Sequence, residues 1–405
     1  MNAIRHGAPW IEVDLAALIH NLAVVRRHAV GSRMMAVVKA DAYGHGLLAV
    51  APTLAVHADA LAVARLDEAL QLRAGGVRGP VTVLEGVFDA DSLQLAAQLG
   101  LELVVHHPLQ VDLLERASLP DRVRVWLKVD TGMGRLGVDV DEAGALWRRL
   151  ASCPAVTGPV GWMTHLAHAR RGECPETDRQ LSALASASMG LAGPRNIANS
   201  AGILAWPQTH ADWVRPGIML YGVSPFAGEQ GTDAGLRPVM SLCSELIAVK
   251  PLRAGDAVGY GGTWCAPQAT CLGVVAVGYG DGYPRTLPSG TPVWVNGRPV
   301  PLVGRVSMDL LTVDLGPQAT ETVGSRVVLW GNGGASVESL AASIGTIGYE
   351  LLCRVTPRVQ RIVLSEGVTA QTEVRSDGVV RAAATGGMPS CDVSRGCFPL
   401  TGRRS

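Results

Sequence analysis

Lys39 ends an apolar run and opens directly onto a polar, glycine-rich turn, in the stretch VVKADAYGHG (37–46). An unpaired ammonium at the end of a buried strand costs several kcal/mol of desolvation. Either a carboxylate pairs with it, or the amine is kept for chemistry. Further polar residues follow at the ends of other apolar runs: Tyr43 in the same turn, Arg135 in DTGMGRLG, and His165 in THL. Asn199 and Ser200 end NIANSA, and Arg215 and Gly217 fall in VRPG. Taken singly, each has a plain reading as a strand-end lysine, a structural histidine or a solvated loop arginine. Taken together they offer an amine, an imidazole, two guanidiniums and hydroxyls, each where a strand is expected to stop and a loop to begin.

The elements that would position them alternate. Short apolar runs at 34–40, 60–66, 80–86, 101–107, 123–130, 160–166, 196–201 and 212–218 read as strands. Amphipathic segments such as LDEALQLRAGG, DEAGALWRRL and DRQLSALASAS lie between them, several opening with Asp, a good N-cap. An earlier helix, capped by Asp14, should bury Leu15, Leu18, Ile19 and Leu22 on one face. Eight strands alternating with helices suit a closed (β/α)8 TIM-type barrel of about 250 residues, whose site lies where strands end and βα loops begin. A doubly wound open sheet is the alternative. Loops after the last two strands of such a barrel often bind phosphate. Ser200 would supply a hydroxyl there, and Gly217 would let backbone N–H groups approach an anion. A lysine beside a phosphate site suggests pyridoxal 5′-phosphate, whose aldehyde condenses with an amine.

Beyond Pro238 the pattern changes to short runs rich in β-branched residues, split by Gly, Pro and Asn. The pair Asn296–Gly297 between two of them is a strong hairpin signal. The expected organisation is therefore an α/β barrel over 1–237, a mostly antiparallel β domain over 238–364, and a loosely ordered tail over 365–405. A chain of 405 residues is long enough for two cores. Acidic and basic residues balance at 35 each, so no net field favours nucleic acid or an anionic membrane. No apolar run approaches the ~20 residues that span a bilayer, and the N-terminus has no apolar core of the kind that marks a secretory signal. Eight scattered cysteines without a CxxC pair point to reduced thiols in the cytoplasm and to no metal site.

The motifs VVKADAYGHG, LKVDTGMGRLG, THLAHA, ANSAG, VRPGIMLYG, VGYGGTW, VGYGDGYPR, GRVSMD and IGYELLCRVTPR resemble, in order, those of the alanine racemase family. The resemblance runs from WIEVDLAAL to about Arg361. It implies a PLP barrel and a C-terminal β domain, joined head to tail in a homodimer with shared sites. Lys39 would be the lysine that carries the cofactor, and Tyr260 the second catalytic base, reaching in from the partner. Phosphate contacts would come from Tyr43, Ser200, Gly217, Ile218 and Tyr349. Arg135 would orient the substrate carboxylate, with Lys128, often carbamylated in the family, holding it in place. His165 would bond Tyr260, and Arg215 would bond both His165 and the pyridine nitrogen. Met308 and Asp309 would border the substrate from the partner chain, Tyr279 would line the entrance, and Asn199 would support the mouth.

The implied reaction exchanges the Cα proton of a small amino acid between two faces, interconverting L- and D-alanine and supplying D-alanine for peptidoglycan. A serine or broad-specificity racemase is the nearest alternative, and a non-enzymatic PLP carrier a more distant one. The chain departs from the family at Asp41, where Asn is common, at Trp264, where Tyr is frequent, and at Gly348, where Asn is common. None of these replaces a group used in the chemistry.

Overall fold

The computed structural model describes residues 6–364. Eight parallel strands close a barrel: β2 (Arg33–Val37), β3 (Ala60–Val63), β4 (Val81–Val83), β5 (Glu102–Val105), β6 (Arg124–Lys128), β7 (Gly161–Met163), β8 (Arg195–Asn196) and β9 (Trp213–Val214). The first strand of the chain, β1 (Trp10–Asp14), is not part of it. Each barrel strand overlaps an apolar run that predicts it, β2 and β8 beginning one residue before theirs, but is shorter, since the polar residues ending each run belong to the loops. Lys39 thus lies two residues beyond β2 rather than inside a strand, and His165 two beyond β7. Val37, Ala62, Val83, Leu103 and Trp162 on these strands are all buried, and Trp162 faces the helix layer, stacking on Trp147 of the helix Val140–Ser152.

The helix α1 (Leu15–His28) is capped by Asp14, whose carboxylate accepts the Ala17 N–H at 2.9 Å. Its buried face differs from expectation: Leu18, Asn21, Leu22 and Val25 face inward, whereas Ile19 is exposed. Asn21 turns inward because its amide donates to the carbonyls of Leu220 and Arg237 at 3.0 and 2.8 Å. Of the helices expected to open on Asp, Leu66–Ala74, Val140–Ser152 and Pro175–Ala187 each begin upstream of that residue, so Asp67, Asp141 and Asp178 sit inside the first turns.

The remaining strands are β10 (Met240–Leu252), β11 (Ala257–Val258), β12 (Trp264–Cys265), β13 (Thr270–Val275), β14 (Pro292–Val295), β15 (Arg298–Pro301), β16 (Leu311–Gly316), β17 (Arg326–Trp330) and β18 (Gln360–Leu364). Apart from the short ribbon β11–β12, they form a sheet in the order β15-β14-β17-β10-β1-β18, with β13 and β16 extending it from β10. The Asn296–Gly297 turn joins β14 and β15 with φ of 47° and 80°, both left-handed, as a tight antiparallel hairpin requires. The one parallel pairing in this sheet is β1 with β18, and β1 also pairs antiparallel with β10. Trp10–Asp14 therefore crosses the division expected at 237/238. The tail expected over 365–405 lies outside the described residues.

Candidate active site

The C-terminal ends of the barrel strands open into a cavity of about 1000 Å³. Lys39, Tyr43, Lys128, Arg135, His165, Asn199, Ser200, Arg215, Gly217, Ile218 and Tyr349 all line it. Tyr260, Tyr279, Met308 and Asp309 do not.

Lys39 opens the expected turn, but with a hand that no local pattern announces. Ala40, Asp41, Ala42 and Tyr43 all have φ near +54°, a left-handed coil that costs an L-residue roughly 1–2 kcal/mol each. The turn persists because its surroundings hold it. Ala40 N–H donates to Glu68 Oε1 at 2.6 Å, while Leu47 N–H donates to Asp41 Oδ1 at 2.6 Å. Gly44, at φ +81°, ends the coil where a Cβ would lie 2.1 Å from the Leu352 carbonyl oxygen. The coil turns the Tyr43 ring onto Tyr221, with centroids 4.8 Å apart. The Tyr43 hydroxyl lies against Gly217, where a Cβ would come within 2.5 Å of it.

Ser200 opens the short helix Ser200–Ala205, whose cap Asn199 accepts the Gly202 N–H at 3.0 Å. Ser200 Oγ accepts the N–H groups of Gly217 and Met219, at 3.0 and 3.4 Å. Its own hydroxyl proton is left to donate elsewhere. Burial pushes the phenols of Tyr43 and Tyr349 above the ordinary tyrosine range, so both remain donors. Ser200, Tyr43 and Tyr349 thus form a set of neutral O–H groups suited to an acceptor-only anion.

The opposite wall is cationic. Arg215 is buried, donating through Nη1 to Asn196 Oδ1 at 2.6 Å and through Nη2 to Thr164 O at 2.8 Å and His165 Nδ1 at 3.2 Å. Desolvation draws its pKa down to about 10, which still leaves it protonated at neutral pH. His165 Nδ1 must therefore accept, and the ring proton sits on Nε2. Burial, reinforced by Arg215 and Lys128, pushes His165 down to about 2, so it stays neutral. Asn199 Nδ2 approaches His165 Nε2 at 3.5 Å, but this brings two donors together, because the Asn199 oxygen is spent on Gly202. The Nε2–H is left for an acceptor from outside.

Asp130 shapes the loop that carries Arg135, its Oδ1 accepting the N–H groups of Gly132, Met133 and Gly134 at 3.0, 2.9 and 3.1 Å. Lys128 ends β6. Burial, then Arg215 and Arg135, lowers its amine to about 8. Lys39 is lowered too, chiefly by burial and then by Arg135 and Arg215. Among the described residues, Lys39, Lys128, Arg135 and Arg215 form no ion pair.

Sequence reasoning passed over Glu85, Arg170, Arg171, Phe226, Ile347 and Cys353, which also line the cavity. It also passed over Asn196, the anchor of Arg215, and Glu68, the anchor of Ala40. Asn196 carried a signal, as a polar residue at the last position of a barrel strand; Glu68 carried none, since it looks like an ordinary first-turn glutamate.

The residues outside the cavity lie in turns: Tyr260 between β11 and β12, Tyr279 between β13 and β14, and Met308 and Asp309 between β15 and β16. Tyr260 sits in a turn flanked by Gly259, Gly261 and Gly262, all at positive φ, and is 67 % exposed. That turn abuts Arg305. Beyond β13, Tyr279 N–H donates to Ser307 O at 3.0 Å and Gly280 N–H to Met308 O at 2.8 Å. Arg358 bridges Asp281 and Asp309 at 2.6 and 2.5 Å.

A closed barrel whose mouth gathers unpaired amines and guanidiniums beside neutral hydroxyls defines an enzyme of amine and anion chemistry. Residues 13–225 match the alanine racemase N-terminal domain, and residues 239–363 match the alanine racemase C-terminal domain. The chain belongs to the alanine racemase family. It is 54 % identical over 351 residues to an alanine racemase of Shewanella putrefaciens, covering 87 % of this chain and 98 % of the relative. One from Aeromonas hydrophila is 55 % identical over 348 residues, covering 86 % and 97 %. Among solved structures, the biosynthetic alanine racemase of Pseudomonas aeruginosa superposes with a TM-score of 0.83 at 44 % identity, covering 88 % of this chain and 99 % of that one. The alanine racemase of D-cycloserine-producing Streptomyces lavendulae gives 0.83 at 34 %, covering 90 % and 98 %.

Proposed function

We infer that this chain is a racemase interconverting L- and D-alanine, working with pyridoxal 5′-phosphate at the barrel mouth. The observation that carries the reading is the convergence of Lys39, Lys128, Arg135 and Arg215 on one cavity without an ion pair among them. Cations left unpaired in a partly desolvated site call for anions, and a phosphate and an amino-acid carboxylate supply them.

The residues fit the cofactor. Ser200, Tyr43 and Tyr349 would present hydroxyl donors to a phosphate, and Gly217 and Ile218 line the same cavity, where a side chain on Gly217 would strike the Tyr43 hydroxyl. Arg215 would face the ring nitrogen and donate a hydrogen bond there without surrendering its proton. When bound, the cofactor supplies an electron sink that acidifies the Cα–H of the amino acid joined to it. Lys39, held below the ordinary lysine range by burial and the nearby arginines, takes or returns the proton on one face. Arg135 orients the carboxylate, supported by Lys128.

The opposite face needs a second proton-handling group. We assign it to Tyr260, which lies outside this chain's own cavity. The working unit is therefore a homodimer in which Tyr260 of the partner subunit meets the free Nε2–H of His165. Tyr279, Met308 and Asp309 would enter with it and border the substrate. In this reading the barrel ends near residue 237, and 238–364, joined by Trp10–Asp14, forms the partner-facing β domain. The described cysteines are free thiols, which suits a reducing cytoplasm, where D-alanine is made for peptidoglycan.

The test is spectroscopic and kinetic. The purified protein should absorb near 420 nm, a band expected of cofactor joined to an amine, and should lose band and racemase activity together on borohydride reduction. Lys39→Ala should lose both. A Lys39→Ala protein that racemises alanine at the unaltered rate would refute the assignment.

A further inference from the structure

We propose that the ion pair between Asp41 and Arg361 is a positioning device for Tyr43, and that it sets how tightly the cofactor's phosphate is gripped. The proposal rests on the reading of Tyr43 as a phosphate ligand. Residues 40–43 hold a left-handed coil that L-residues avoid, so the coil keeps its shape only as far as its neighbours over-determine it. Its two ends are held differently.

At the start, Glu68 accepts the Ala40 N–H through Oε1, and through Oε2 it accepts Ala64 N–H at 2.8 Å and Arg65 N–H at 3.2 Å. That carboxylate is buried, and it fixes the backbone beside Lys39. At the far end, Asp41 Oδ1 accepts Leu47 N–H, while Asp41 Oδ2 accepts Arg361 Nη2 at 3.0 Å. The same Nη2 donates to Gly44 O at 3.2 Å. One guanidinium thus grips both the side chain of the coil and the carbonyl that closes it. Arg361 belongs to β18, so the clasp ties the phosphate loop of the barrel to the sheet that contains β1.

Tyr43 is the last residue of the coil, and its hydroxyl has little tolerance for misplacement, given how closely Gly217 approaches it. The stack on Tyr221 fixes the plane of the ring; the coil fixes how far it reaches. Opening the clasp should loosen the phosphate grip and leave Lys39 in place, because Lys39 is anchored from the Glu68 side.

The experiment titrates cofactor-free protein with pyridoxal phosphate and, separately, with pyridoxal, which lacks the phosphate, following tryptophan fluorescence. Arg361→Ala should weaken pyridoxal phosphate about tenfold and pyridoxal less than about twofold. Tyr43→Phe should then cost clearly less in the Arg361→Ala background than alone, since the hydroxyl is already misplaced. If Arg361→Ala does not fold, Asp41→Asn, which keeps the acceptor for Leu47 but loses the charge, is read the same way. A fall in the ratio of the two affinities supports the clasp. An unchanged ratio, whether both ligands weaken equally or neither does, overturns it, because a general loss of stability would not discriminate between them. If the unaltered protein shows no preference for the phosphorylated ligand, the phosphate reading itself has failed and the clasp falls with it.

Discussion

Lys128 carries its amine into a cavity already crowded with positive charge, and the consequence can be read in the pH dependence of stability. In the folded chain it titrates at about 8, against an ordinary 10.5. Across that window the unfolded chain binds more protons than the folded one, so stability rises with pH. The buried phenols of Tyr43 and Tyr349 pull the other way only above the ordinary tyrosine value of 10.0. In CO₂-free buffer, the melting temperature of cofactor-free protein should therefore climb between about pH 8 and 10, and Lys128→Met should flatten the climb. An equal slope in both proteins would show that this amine is not held below its normal range. Added bicarbonate should flatten the slope as well if Lys128 forms the carbamate that the family resemblance implies, since an anion would then stand among the cations. A Cβ on Gly217 would lie 2.5 Å from the Tyr43 hydroxyl, so Gly217→Ala should weaken pyridoxal phosphate binding at least about tenfold while the protein still folds, as measured by titration and circular dichroism.

At the scale of elements, the left-handed coil makes an unusual prediction. Glycine normally weakens a helical stretch, but at positive φ it removes the β-carbon that clashes. Ala40 is exposed at φ +54°, so Ala40→Gly should stabilise the protein by about 1 kcal/mol, read by urea unfolding of the cofactor-free chain. A loss of similar size would mean the segment is right-handed in solution. The hand of this coil was not legible in the sequence, because KADAY holds no glycine and reads only as a strand end running into a turn; Glu68, Asp41 and Arg361, distant in the chain or in contact only once folded, hold it. The barrel was legible, since its strands mostly interrupt a polar background with a short apolar run that neighbours must cover; β8, only Arg195–Asn196, is the exception. β1 was not. WIEVD runs into the cap of α1, and its partners Met240–Cys243 and Gln360–Leu364 lie far away in the chain, beyond the reach of any local pattern. The inward face of α1 was misread for the same reason: Asn21 is polar, and only distant carbonyls make it a core residue.

At the scale of the molecule, the cavity holds one proposed base and an exposed turn between β11 and β12 holds the other. Geometry within one chain therefore leaves the reaction half equipped, and the two-face requirement of racemisation turns this into a statement about assembly. Suppose Lys39→Ala and Tyr260→Phe proteins are each prepared and found inactive. Tyr260→Phe keeps the ring and its contacts, so the partner surface should survive. When the two are co-expressed with different tags, or unfolded and refolded together, random pairing should make about half of the dimers mixed. In a mixed dimer, the Lys39 of the Tyr260→Phe chain meets the tyrosine of the Lys39→Ala chain, which rebuilds one complete site. The mixture should then recover about a quarter of the unaltered activity, and dimers isolated by both tags about half. If instead each chain used its own tyrosine, no mixed dimer would contain a complete site, and activity would stay at the level of the inactive parents.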